Sequence, residues 1–218
     1  MKLVHATYEP AGEGPFPTIF AMHGWGSNAM DLHGLAPYVA GGQFLVICPQ
    51  GATEVEIGAV NGYGWYQTQP GARPDEEKVG EAVAQLASFI NEACQRYPVD
   101  RTKIVAVGFS QGGMMAYNLA VRWPKRFAAL VGIATAFPEW LADRADDREA
   151  FAQLPVLIEH GRADEAIPMK RARKTLETLQ QLGFPVTFRE YDCGHEVAAG
   201  GVRDLSEFLT EKVLKREG

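Results

Sequence analysis

Cysteine is scarce: Cys48, Cys94 and Cys193 are the only three in 218 residues. They are too few and too scattered for a disulfide framework, and no pair has metal-ligand spacing. A reducing, cytoplasmic setting is the simplest expectation. Long apolar runs are also missing. The longest, around residues 44–48 and 128–137, fall well short of a membrane span, and the first residues lack the apolar stretch of a signal peptide. No Lys/Arg-rich block is present, and 21 basic residues stand against 27 acidic ones, a net charge of -6. Nucleic-acid binding needs a concentrated basic face, so a polyanionic partner is not expected. Internal repeats, linkers and low-complexity tracts are absent too.

What remains is an ordinary globular composition, 46% hydrophobic and 22% charged. The length fits one domain, 1–218, with a full core. Short β-type runs at residues 18–22, 44–48, 104–107, 127–133, 156–160 and 186–191 alternate with helical patterns. That order predicts an α/β fold, a mostly parallel sheet of about seven strands with helices on both faces. The runs at 127–133 and 156–160 are apolar on consecutive positions, as strands covered twice should be. Residues 186–191 alternate instead, which places them nearer an edge. Helices are expected at 29–39, from Pro74-Asp75-Glu76-Glu77 onward with Val79, Ala82, Val83, Leu86, Phe89, Ile90 and Ala93 on one face, at Leu176, Leu179 and Leu182, and at Val202 to Val213. The mixed charges of 142–152 read as an exposed helix or loop, and 58–71 as an irregular excursion.

The most informative stretch is Gly108-Phe109-Ser110-Gln111-Gly112-Gly113, between the apolar run 104–107 and a helix-like segment. A G-x-S-x-G turn between strand and helix pushes one hydroxyl out at the carboxyl end of the strand, with small flanking residues giving clearance. The bland alternative is a glycine-rich turn between buried elements. A serine hydroxyl needs a base, and the base an orienting carboxylate, in the chain order Ser, Asp or Glu, His. Asp164, in His160-Gly161-Arg162-Ala163-Asp164, lies just beyond a strand, and His195 lies between the last strand and the last helix. Asp192, Glu165 and Asp143 are rival acids, Asp192 the nearest because it stands three residues from His195. His5, His23, His33 and His160 sit less suitably. An oxyanion needs two fixed donors. The backbone N–H of Gln111 is one, and the glycine-flanked His23-Gly24-Trp25-Gly26 turn offers that of Trp25 as the other.

Together, His23-Gly24-Trp25-Gly26, the Ser110 elbow, the Asp164 segment and Gly194-His195 resemble the α/β-hydrolase superfamily. The short length and the Gly-Phe-Ser-Gln-Gly-Gly elbow make the chain similar to the phospholipase/carboxylesterase group, which includes acyl-protein thioesterases, and more distantly to dienelactone hydrolases. The serine at 110, where those last enzymes carry a cysteine, sets it apart from them. Trp25, Ser27-Asn28 and Cys193-Gly194 depart from the closer group. The resemblance implies a serine esterase without cofactor or metal, acting on a small-molecule ester. Trp25, Trp65, Tyr66, Phe137 and Trp140 are candidates for an apolar substrate pocket, with core packing as the alternative for each. Residues 135–155 leave room for a small cap but not a large lid domain, which favours an open cleft and short or medium acyl chains. A peptidase or a non-catalytic binder are the other classes; the first lacks room for an extra domain, and the second would have lost a triad member.

Overall fold

Strands buried on both faces are apolar along most of their length: Leu45–Pro49 (β3) and Ala129–Ile133 (β7) are apolar throughout, and Val156–Gly161 (β8) is buried throughout and departs only at Glu159 and His160. In the computed structural model, which describes residues 3–58, 60–68 and 73–215, they join His5–Tyr8 (β1), Phe16–Met22 (β2), Val99–Phe109 (β6) and Val186–Tyr191 (β9) in one sheet. The order is β1-β3-β2-β6-β7-β8-β9, parallel except for β1. This is the expected α/β architecture, and β9 is an edge strand as its alternation predicts.

Side chains on successive strand positions enter two separate cores. Phe20, Met22, Ile104 and Ala106 face one, while Ile19, Ala21, Val105 and Val107 face the other. The first core is closed by helices Glu76–Arg96 (α1), Gln111–Arg122 (α2) and Met169–Gln181 (α5), the second by Ala199–Leu209 (α6) and the turns around residues 32–42. All seven apolar positions expected on α1 are buried. Its start follows from Asp75, whose carboxylate accepts from the N–H groups of Glu77 and Lys78, with Glu76 and Glu77 in the first turn. Each such fully buried Val, Leu, Ile or Phe contributes about 1.5–3 kcal/mol over leaving it in water.

Three expectations are corrected. Residues 29–39 do not form an α-helix; His33–Gly42 is a run of tighter three-ten turns. Pro37 supplies no N–H and is unfavourable inside an α-helix, and the chain leaves helical geometry at Val39, Ala40 and Gly41. Residues 142–152 are not merely an exposed connection. Together with Glu139–Ala142 (α3) they carry Arg148–Phe151 (α4), and Ala145, Ala150 and Phe151 are buried, Phe151 stacking on Phe184 at 4.5 Å. The excursion at 58–71 is also more regular than expected. Thr53–Ile57 (β4) and Val60–Gly64 (β5) pair as an antiparallel hairpin, whereas residues 59 and 69–71 lie outside the described residues.

The parallel sheet gathers the carboxyl ends of β2, β6, β8 and β9 at one rim, the side where α/β sheets present their ligand-facing loops. From that rim emerge residues 23–28, Ser110, residues 162–168 and residues 192–198.

Candidate active site

Strand β6 must reverse into α2 within one residue, and Ser110 is that residue. Its backbone, at φ 51° and ψ -117°, lies where L side chains rarely go, a conformation that costs on the order of 1–3 kcal/mol and persists only when its surroundings enforce it. Here they do: the Ser110 N–H donates to Ile133 O at 2.9 Å, and Thr135 Oγ1 donates to Ser110 O at 2.8 Å. The flanking glycines are required sterically. A Cβ on Gly108 would stand 2.2 Å from Gly112 O, and one on Gly112 would stand 2.1 Å from Met22 O. Both obstacles are backbone, so neither can swing aside.

The strained turn aims the hydroxyl at residue 195. Ser110 Oγ lies 2.9 Å from His195 Nε2, and His195 Nδ1 lies 2.8 Å from Asp164 Oδ2. The carboxylate only accepts, so Nδ1 carries the imidazole proton and Nε2 is left to accept from the serine hydroxyl. Asp164 is fixed in turn, because its Oδ1 accepts from Ile167 N–H at 2.8 Å and its side chain has no exposed surface. His160 Nε2 sits 3.5 Å from the same Oδ2 that faces His195 and donates to Ile167 O at 2.7 Å. The rival Asp192 is instead paired with the Arg162 guanidinium at 2.6 Å on the exposed surface. The imidazole of His195 also packs on Phe109, ring centroids 5.0 Å apart. The structure therefore brings Ser110, His195 and Asp164 together.

Around the serine, Gln111 stands in the first turn of α2, where a backbone N–H has no acceptor within the helix. Its side chain has a task that the sequence does not announce. Oε1 accepts from Trp65 N–H at 2.8 Å and Nε2 donates to Tyr66 O at 2.9 Å, so the residue beside Ser110 pins the segment that follows β5. That hairpin in turn grips the loop after β2: Gly26 N–H donates to Tyr63 O at 2.8 Å and Tyr63 N–H donates to Ser27 O at 2.7 Å. His23 completes the frame. Gly51 N–H donates to its Nε2 at 3.0 Å, so its proton is on Nδ1, which donates to Gly24 O at 2.7 Å. Burial holds this imidazole below the usual histidine value, outweighing the bond to Gly24 and the Asp31 charge, and favours that neutral form.

Of the five candidate pocket aromatics, Trp25 alone is partly exposed, resting against Gly64. Trp65, Tyr66, Phe137 and Trp140 are buried in the core beneath. Trp65 Nε1–H donates to His23 O at 2.9 Å, Tyr66 Oη donates to Met114 Sδ, Phe137 packs edge-on against Tyr117, and Trp140 lies under the Arg144 guanidinium.

A serine at a strained strand-to-helix turn, on a mostly parallel seven-stranded sheet and within reach of a histidine from a later loop, defines an α/β-hydrolase fold. Solved structures agree: a carboxylesterase from Bacillus cereus superposes with a TM-score of 0.82 over 97% of this chain and 95% of that one, at 22% identity. The chain matches the phospholipase/carboxylesterase family over residues 5–213 and belongs to it. Among curated relatives, acyl-protein thioesterase 1 of Neurospora crassa is 26% identical over 166 residues, 70% of this chain and 66% of that one. Acyl-protein thioesterase 1 of Gibberella zeae is 27% identical over 114 residues, 51% of this chain and 48% of that one. The match thus spans about half of one relative's length and just under two thirds of the other's. Among the described residues no helix is long and apolar enough to cross a membrane.

Proposed function

We propose that this protein is a serine hydrolase of carboxylic esters, in which Ser110 is the nucleophile, His195 the general base and acid, and Asp164 the residue that orients the imidazole. The observation that carries this reading is the unbroken relay of 2.9 and 2.8 Å contacts from hydroxyl to carboxylate, delivered by an enforced backbone strain at the serine. As Ser110 Oγ attacks the ester carbonyl carbon, its proton passes to Nε2, and the Asp164 carboxylate stabilises the resulting imidazolium. The carbonyl oxygen becomes an oxyanion facing the backbone N–H groups of Gln111 and Trp25. Collapse of this intermediate expels the alcohol, which takes the proton from His195. Water, activated by the same imidazole, then releases the acid and restores the serine.

Short and medium acyl chains are the proposed substrates. Residues 134–155 support this, since α3 and α4 have four residues each and tuck Trp140, Leu141 and Phe151 into the core rather than over the serine. A thioester preference is the second reading, favoured by the names of the curated relatives. A cytoplasmic location belongs to the same proposal, supported by three free thiols. A panel of ester, thioester and amide substrates of graded chain length tests it. Turnover of oxygen esters with an optimum at short or medium acyl groups is expected, with amides far slower; an optimum at long-chain acyl groups, or a dominant amidase activity, would contradict it.

A further inference from the structure

Under the loop that carries His195, two carboxyl groups share one phenol. Tyr191, the last residue of β9, places its hydroxyl 2.9 Å from Asp204 Oδ2 of α6 and 3.3 Å from Glu159 Oε1 of β8. A phenol has one proton to donate, so it cannot bond two ionised carboxylates as donor to both. The inventory closes when Glu159 is the protonated partner: its acid proton goes to Tyr191 Oη and the Tyr191 proton goes to Asp204. Glu159 is 1% exposed, and its second oxygen, Oε2, is buried with no hydrogen-bond partner. A carboxylate in that setting would be uncompensated, whereas a neutral acid is tolerable. Oε2 sits against the first turn of α6, where a Cβ on Gly201 would fall 2.6 Å away.

The position matters because of what hangs on it. Residues 192–198 connect β9 to α6 and contain His195. On one side this loop is tied to the Asp164 segment through Arg162 N–H to Tyr191 O at 2.8 Å and Ala163 N–H to Cys193 O at 3.0 Å. On the other side, the Glu159-Tyr191-Asp204 chain fastens the close of β9 and the middle of α6 to β8, with Glu159 Oε2 lying against the first turn of that helix. Resting on the catalytic reading above, we propose that Glu159, as a neutral acid, is a positioning residue for His195, and that its ionisation opens this fastening and displaces the imidazole from Ser110.

The charged and titratable groups facing Glu159 are Tyr191 and Arg189 from β9 and Asp204 from α6, with Arg189 and Arg203 themselves engaged on Asp204. Burial pushes the Glu159 carboxyl up to about 8; donation from Tyr191 to the ionised form would oppose this, the Asp204 charge adds to it and the exposed Arg189 opposes it. Since the folded chain keeps a proton that the unfolded chain releases above about 4.5, stability falls as pH rises from that value to about 8 and then levels.

The test is kcat/KM across pH 6 to 10 on a soluble short-chain ester, with spontaneous hydrolysis subtracted, alongside thermal midpoints over pH 4 to 9. For the unaltered protein an alkaline limb near pH 8 is expected, a fall of about tenfold between pH 7 and pH 9. Glu159→Gln cannot ionise, so that limb disappears and its thermal midpoint depends less on pH between 5 and 8. Asp204→Asn removes the charge that holds the Glu159 proton on, so the limb moves to lower pH; this second variant decides the matter if the first does not fold. An unaltered limb in Glu159→Gln, or an unmoved or raised limb in Asp204→Asn, overturns the proposal. The functional reading fails separately, if ester turnover survives Ser110→Ala.

Discussion

Ser110→Ala is expected to lower ester turnover about 10^5-fold while leaving the fold in place. The hydroxyl is the only atom removed, and residual catalysis would come from binding and the oxyanion donors alone. Folding should be nearly untouched because the bonds that enforce the turn, to Ile133 O and from Thr135 Oγ1, are made by the backbone of residue 110. An alanine preserves both. Steady-state kinetics on a short-chain ester, paired with a thermal melt, reads the two quantities together. A thermal midpoint within a few degrees of the unaltered protein with turnover lost is the expected pair; turnover within tenfold of normal would remove Ser110 from the chemistry.

The second large effect is expected from Asp164→Asn, through a proton rather than through shape. Ile167 N–H points at Oδ1 and would hold the asparagine carbonyl there, which turns the amide NH2 toward His195. Facing a donor, Nδ1 must accept, and the single ring proton moves to Nε2, where it confronts the Ser110 hydroxyl. No base is then available to the serine. A fall in kcat of about 10^4-fold with KM little changed is the expectation, measured by ester kinetics near neutral pH. A loss smaller than tenfold would mean that Asp164 does not set the tautomer.

How far these residues could be read from the chain varies with the range over which they act. The elbow was legible because its parts are adjacent: an apolar strand, small residues on either side of a serine, then a helix. Chain order and placement after strands single out Asp164 and His195, which the fold brings into one chain of contacts with the serine although 54 and 85 positions separate them from Ser110. Geometry was needed to separate Asp164 from Asp192, since only contact shows that Arg162 occupies the latter. The supporting residues were not legible. The Gln111 side chain meets Trp65 and Tyr66 from 46 and 45 positions away, and the Glu159-Tyr191-Asp204 chain spans three elements. No local pattern announces such a meeting.

Two misreadings of secondary structure have local causes. Residues 29–39 carry the helical spacing of Leu32, Ala36 and Val39, all buried, but Gly34 and Pro37 favour tight turns over a regular helix. The β4–β5 hairpin was missed because β4 is largely exposed, β5 carries two glycines, and the strands draw their order from pairing with each other and with Ser27. Thr53, Val55 and Ile57 alternating with Glu54 and Glu56 was the signal that would have revealed it. The oversight concerned the site directly, because this hairpin holds the loop bearing the Trp25 N–H.

The central claim is that one serine is made reactive by one histidine. The rate of covalent labelling by a fluorophosphonate, followed by intact mass and peptide mapping in the unaltered protein and in His195→Ala, measures it most directly. The account predicts a single adduct, located on Ser110, forming rapidly in the unaltered protein and at least 10^3-fold more slowly in the variant, on the order of the loss when a serine's base is removed. An adduct on another residue, or equal labelling rates in the two proteins, would contradict it.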